Sequence, residues 1–382
     1  MRHSPSNWLR LLTLLTPGLL AACTTPYRPA VVVRDSAPFP GIVNLVQPGS
    51  KRPLDVILVH GMCTHDASWA NHGIDRIAGV VSANVPGQAA AGPNGIQLVE
   101  RTQQVGGTPV RFHALIWSPL TAPLKRQLDY DNTGTPTDCS SAGSGECKPK
   151  RAWANGYVKD RLLNDCLSDA VIYEGASRNA IRDAMVESVS RIIESNPNGD
   201  HTLAVVAESL GSKILFDALS SMLESRQPRT QALGQQAARR LGLLYMAGNQ
   251  LPILGLAEQD IERRPDNRSA TAPDSLQRFL ELRRRQAAAP LAEPIARLAV
   301  VAFTDPNDLL SYRLQPARYA APDMRVADMR VADVAVADVL VSNARTWLGL
   351  IENPVAAHLD YLENPEVGEL IACGYPRFSG CR

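Results

Sequence analysis

The run Thr202-Leu203-Ala204-Val205-Val206-Ala207-Glu208-Ser209-Leu210-Gly211-Ser212-Lys213 constrains this chain more than any other stretch. An apolar run ends in a small residue, a serine follows, and an amphipathic segment begins at once. Ile214, Leu215, Ala218, Leu219 and Met222 fall on one face at helical spacing. That order describes a strand, a tight turn and a helix, with Ser209 at the apex. So sharp a turn strains its central residue, and large side chains two positions to either side would collide. Ala207 and Gly211 hold those positions, so the pattern is A-x-S-x-G. Alone, it also fits an ordinary strand-to-helix turn.

The rest of the chain alternates in the same sense. Strand candidates are Leu54–Val59, Arg111–Trp117, Thr202–Ala207, Leu241–Ala247 and Arg297–Phe303, with helical segments such as Ser177–Glu194 and Ser275–Ala288 between most of them. The expected class is α/β, with a mostly parallel central sheet and helices on both faces. Polar, Gly/Ser-rich sequence at 118–170 interrupts the alternation, as an inserted cap or a surface loop.

Two further stretches bear on Ser209. Leu54-Asp55-Val56-Ile57-Leu58-Val59 runs into His60-Gly61-Met62, and Arg297–Phe303 runs into Thr304-Asp305-Pro306-Asn307-Asp308-Leu309-Leu310. With the serine turn, they resemble the α/β-hydrolase family over roughly residues 51–365. The resemblance implies an oxyanion hole from the backbone N–H groups of Leu210 and Met62. It implies a structural role for His60, and an acid from the loop after the late strand. Asp308, before two leucines, is the favoured acid, and Asp305, followed by proline as in a turn, is the alternative. The family order is nucleophile, acid, histidine. Of the seven histidines, at 3, 60, 65, 72, 113, 201 and 358, only His358 follows Ser209. The implied catalytic set is therefore Ser209, Asp308 and His358. A serine hydroxyl needs a neutral imidazole to take its proton, and a carboxylate to hold the imidazole's tautomer.

The first residues read as an address. Arg2 and Arg10 precede an apolar stretch, Leu11–Ala22, interrupted by Pro17-Gly18 and too short to span a membrane. It ends in Leu20-Ala21-Ala22-Cys23, which resembles a bacterial lipoprotein signal. That implies cleavage of residues 1–22 and lipidation (palmitate-type acyl chains) of Cys23. Ordinary secretion with nearby cleavage is the alternative. Thr24, not aspartate, follows the cysteine, which by the same resemblance favours the outer membrane if the cell is Gram-negative. Residues 23–50 are proline-rich and read as an extended tether to a domain at 51–382.

Six cysteines remain after Cys23, an even number in an exported chain. Local spacing pairs Cys139 with Cys147 and Cys373 with Cys381, leaving Cys63 with Cys166. Neither C-x-x-C nor H-E-x-x-H occurs, and no metal or other cofactor is expected. Lys plus Arg total 39 and Asp plus Glu 38, which gives nucleic-acid binding no electrostatic support. The five-residue repeat from Met324 to Asp338 fits neither helix nor strand period and reads as duplication beside a strand at Val336–Val341.

The leading expectation is a lipid-anchored serine hydrolase (carboxylesterase or lipase-like) that cleaves an ester, lipid-borne or soluble, through an acyl-enzyme; amides and thioesters are lesser alternatives. The competing reading is a non-catalytic envelope lipoprotein that uses the same fold to bind a ligand or partner. A structural envelope component would require the ordered triad to be accidental. Substrate identity and oligomeric state are not legible.

Overall fold

Strands apolar on both faces must be covered on both faces, and four such strands form the centre of the molecule. They are β3 (Leu54–Val59), β7 (Leu203–Glu208), β8 (Leu241–Ala247) and β9 (Leu298–Thr304), with every residue buried. In the computed structural model they lie parallel, with β6 (Thr108–Ile116) and β12 (Val334–Leu340) continuing the parallel set on either side. Antiparallel strands finish both edges: β5 (Gln97–Val105) and β4 (Gln88–Ala91) beyond β6, and β2 (Val31–Val32) beyond β12. The sheet order is β2-β12-β9-β8-β7-β3-β6-β5-β4. The structure describes residues 23–46, 53–80, 88–91, 93–105, 107–132, 150–196, 202–261, 272–287, 297–319, 325–326, 329–330, 334–379 and 381.

The two sheet faces carry separate apolar cores. Helices α2 (Arg178–Glu194), α3 (Ser209–Leu223), α4 (Pro228–Arg240) and α5 (Ser275–Ala287) pack into one, through residues such as Ile181, Leu215, Ala238 and Phe279. Helices α1 (Ala67–Ala78) and α7 (Pro365–Cys373) pack into the other, through Ile74, Ile77, Val367 and Ile371. Each buried aliphatic or aromatic side chain contributes about 1.5–3 kcal/mol relative to exposure, so these two layers are the main stabilising term. The chain is thus α/β with a mostly parallel sheet and helices on both faces.

The segment expected to be an extended tether is docked instead. Residues 23–46 run over the domain: β1 (Cys23–Thr24) pairs with β13 (Thr346–Trp347), and β2 pairs with the edge strand β12. Phe39 exchanges backbone hydrogen bonds with Tyr375 at 2.8 Å, and Ile42 is buried in the core beneath α1 and α7. The prolines at 26, 29, 38 and 40 do not prevent this, because an edge strand presents one side to no partner. They limit the pairing to two-residue strands, while Phe39 and Ile42 are buried and hold the segment to the domain.

Residues 1–22 and the Cys139/Cys147 pair lie outside the described residues. The pairs Cys63–Cys166 and Cys373–Cys381 are disulfide-bonded, and Cys23 takes part in no disulfide. The described parts of the 118–170 insertion are helical. Trp153–Val158 runs on into a π-helical stretch, Lys159–Leu167, which carries Cys166 and so ties the insertion to the loop after β3. Within the repeat, β10 (Arg325–Val326) and β11 (Met329–Arg330) form a small antiparallel ribbon ahead of β12. Among the described residues no helix is long and apolar enough to cross a membrane.

Candidate active site

Ser209 follows β7 directly and opens α3 with a left-handed backbone, φ 50°. A non-glycine residue seldom holds that conformation unless its surroundings impose it. Two glycines make the close approach possible. A Cβ on Gly211 would lie 2.1 Å from the His60 carbonyl oxygen, and one on Gly61 would lie 2.7 Å from the Ser209 Cβ. Position 207 is less demanding, and the Ala207 methyl is simply part of the core. The sharp turn therefore needs glycine after the serine and on the facing loop, while alanine serves before it.

His358 reaches Ser209 from the far end of the chain. Its helix, α6 (Pro354–Leu359), is started by Asn353, whose side chain accepts the Val355 N–H at 3.0 Å. The Asn343 amide donates to the Ala357 carbonyl at 2.8 Å and fixes the same helix to the loop after β12. His358 Nε2 stands 3.1 Å from Ser209 Oγ. On the other side of the ring, Nδ1 is 2.9 Å from one Asp308 carboxylate oxygen and 3.0 Å from the other. A carboxylate facing Nδ1 holds the proton there, which leaves the Nε2 lone pair directed at the serine hydroxyl.

Asp308, not Asp305, is the carboxylate brought to the histidine. It also accepts the Leu310 N–H at 2.9 Å and the Tyr361 hydroxyl at 3.0 Å. Burial and the Asp308 charge push the Tyr361 phenol well above its ordinary value, so it remains a donor. Asp305 organises loops: it accepts the Asn307 N–H at 2.9 Å and the Asn343 N–H at 2.6 Å, and bonds the Glu352 carboxyl. Burial, and then the Asp305 charge, push the Glu352 carboxyl up to about 7. Tyr361 carried no signal in the sequence beyond lying one helical turn after His358.

The loop after β3 is held from several directions. His60 Nε2 accepts the backbone N–H groups of Trp117 at 2.8 Å and Ser118 at 3.1 Å, so the ring is neutral with its proton on Nδ1. Burial pushes its pKa well below the usual imidazole value. The Trp117 indole stacks on the ring, 4.9 Å between centroids and 4° from parallel. His60 Nδ1–H then donates to the Gly61 carbonyl at 2.7 Å. That carbonyl and the Met62 N–H are two ends of one planar trans peptide, so fixing the first sets the direction of the second. His65 Nε2–H donates to the Met62 carbonyl at 3.1 Å, and Cys63 N–H donates to Asp169 at 2.8 Å. Leu210 lies in the first turn of α3, where its N–H has no partner within the helix, and the preceding Glu208 side chain does not cap it.

Glu208 is a buried carboxyl beside the serine that sequence patterning does not single out. It accepts the Trp69 indole N–H at 2.7 Å, and burial pushes its pKa up to about 8. A hollow of about 320 Å³ lies next to it, between Thr64–His72 on one wall and Leu359–Glu363 on the other. Among the described residues, Cys63, Asp165 and Cys166 bring together atoms of metal-ligand type, but both sulfurs are committed to the disulfide. No protein-family model matches the chain, and no curated protein matches it.

Proposed function

We propose that this chain is a serine hydrolase of the α/β-hydrolase type, cleaving an ester through an acyl-enzyme. The observation that carries this reading is the unbroken relay Ser209 Oγ, His358 Nε2, His358 Nδ1, Asp308, with hydrogen-bond distances of 3.1 and 2.9 Å. In the reaction His358 takes the Ser209 proton as the oxygen attacks the ester carbonyl. The tetrahedral oxyanion is received by the N–H groups of Leu210 and Met62. Asp308, held in place by the Tyr361 hydroxyl, stabilises the imidazolium. His358 returns the proton to the departing alcohol, and then activates a water that releases the acid and restores the serine.

A fluorophosphonate probe forms a bond only to an activated serine, and is the direct test. Labelling of the wild type that disappears in Ser209→Ala and in His358→Ala is the expected result. A folded wild-type protein that takes up no probe and hydrolyses no p-nitrophenyl ester overturns the reading.

The same proposal places the protein in the cell envelope, held by lipid on Cys23, with the outer membrane favoured in a Gram-negative cell. The Leu20-Ala21-Ala22-Cys23 run supports it. Metabolic labelling with a palmitate analogue should mark the wild type, and Cys23→Ser should abolish the label and leave an uncleaved precursor.

A further inference from the structure

The most exposed apolar cluster of the described chain is the tight turn Trp347-Leu348-Gly349-Leu350-Ile351. Its four large side chains are 57–84% exposed, Leu350 the most. The turn is well formed: Trp347 N–H donates to the Ile351 carbonyl at 2.7 Å, and Leu350 N–H to the Trp347 carbonyl at 2.8 Å. Leu348 holds a left-handed backbone, φ 53°, with Gly349 beside it at φ 65°. A soluble surface turn of this shape would ordinarily carry asparagine or glycine. Here it displays leucines.

What lies beside the turn identifies its partner. Cys23 pairs directly with Trp347 in the β1–β13 ribbon. Residues directly opposite in an antiparallel pair point their side chains to the same face. The Cys23 thiol and the Trp347 indole therefore leave the ribbon on one side. Thr24 and Thr346 reinforce the pairing, hydroxyl to hydroxyl at 2.7 Å. An acyl chain on Cys23 would emerge alongside the indole, with Leu348, Leu350 and Ile351 next to it. Exposed Arg345 sits at the base of the turn. Tryptophan and arginine belong at the headgroup level of a bilayer, and leucine and isoleucine below it.

The turn also belongs to the rim that carries the relay. It follows the carboxyl end of β12, as Ser209 follows β7 and Asp308 follows β9. The Asn307 side chain donates to Glu352 at 2.8 Å, which joins the Asp308 loop to the residue after Ile351. Leu309, next to the acid, is 67% exposed on that rim. We propose that Trp347–Ile351 is a membrane wedge. It enters the bilayer beside the lipidated Cys23 and holds the carboxyl rim of the sheet against the lipid, so that the ester cleaved at Ser209 is one carried by a membrane lipid. This rests on the hydrolase and lipid-anchor readings above. It replaces a domain standing off on a tether with one pressed onto the membrane.

The test uses the full processed protein, extracted in detergent and reconstituted into vesicles of phosphatidylethanolamine and phosphatidylglycerol with brominated acyl chains. Tryptophan fluorescence should be quenched, and the quenching should vanish in Trp347→Phe, which keeps the turn apolar. Leu348→Asp/Leu350→Asp should lower turnover of a vesicle-borne phospholipid ester by about tenfold or more, leaving turnover of a soluble acetate ester unchanged. The mass of the N-terminal peptide, read on the same sample, separates the anchor from the wedge. Lipidated Cys23 with an unquenched Trp347 overturns the wedge and leaves the anchor standing. Quenching in a chain without lipid overturns the anchor and leaves the wedge. Failure to hydrolyse either ester counts against the hydrolase reading alone. Cross-linking between two copies through Leu350→Cys, with Trp347 shielded from bromine, would assign the patch to a dimer. Quenching with full phospholipid turnover in the double aspartate variant would overturn the substrate assignment.

Discussion

Two aspartates three residues apart compete for one histidine, and geometry separates their roles. Asp308 receives His358 Nδ1–H, a tyrosine hydroxyl and a backbone N–H, while Asp305 receives the loop amides of Asn307 and Asn343. Asp308→Asn keeps the shape but replaces an acceptor with a donor at Nδ1, which turns the imidazole to the wrong tautomer. The expected loss in kcat is about 10⁴-fold, with KM nearly unchanged. Asp305→Asn should act on stability instead. It leaves Glu352 without its carboxyl neighbour and loosens the two loops, so the melting temperature falls while kcat in the folded protein falls far less. Steady-state kinetics with thermal unfolding on both variants is the measurement. The reverse ranking would move the acid to Asp305. At this scale the sequence was legible where chemistry restricts the residue type: a serine between small residues, and one histidine after it. Tyr361 was not legible, because a tyrosine hydroxyl that satisfies a buried carboxylate leaves no periodic trace. Glu208 was hidden for a related reason, since an acid between the end of a strand and the turn serine reads as exposed until Trp69 is seen to bond it.

The loop after β3 depends on a neighbour that is remote in sequence. Cys63, next to Met62, is bonded to Cys166 in the π-helical stretch 103 residues away, and its N–H is held by Asp169 of the same insertion. The insertion therefore braces the peptide that would supply one oxyanion donor. Cys63→Ala/Cys166→Ala should lower kcat more than it raises KM, toward the 10²–10³-fold known for losing an oxyanion donor. Cys373→Ala/Cys381→Ala, which opens a loop at the far end of the chain, should leave kcat unchanged. Equal effects from the two pairs, with circular dichroism confirming that both variants fold, would mean that the brace has no part in catalysis. Elements were legible in proportion to their apolar density. β3 and β8 match their sequence-based limits, because in each an apolar run, broken in β3 only by Asp55, stands out from its flanks. β5, Gln97–Val105, escaped notice because its sequence is mostly polar, although the burial beneath it alternates. Residues 23–46 misled through their prolines, which signal an extended chain but not whether that chain is free or laid against an edge strand.

At the scale of the whole molecule, buried carboxyls set how stability responds to pH. Asp55 is held well below the ordinary carboxylate range: burial opposes its charge, but hydrogen bonds from His113 and Asn196 and the nearby Arg111 outweigh it. Its contribution is present in neutral solution and is lost in acid. Glu208 and Glu352 have the opposite sign. Burial, first of all, raises them to about 8 and about 7, and for Glu352 the Asp305 charge adds to the effect. A carboxyl whose pKa is raised by folding favours the native state while it keeps its proton. That stability is complete below the unfolded value, about 4.3, and is lost as pH rises toward the folded value. Between about pH 5 and about pH 8 these two groups therefore lower the unfolding free energy, by up to about 1.4 kcal/mol per pH unit each, while His60 and His65, kept neutral by burial, add stability as pH rises toward the ordinary imidazole value. Glu208→Gln retains an acceptor for the Trp69 indole and has no proton to lose. Its stability, read by urea unfolding, should lose less than that of the wild type as pH rises across this range, so that the variant gains on the wild type toward the alkaline side. Parallel curves would mean that Glu208 is already ionised in the folded protein, and that the Trp69 hydrogen bond outweighs its burial.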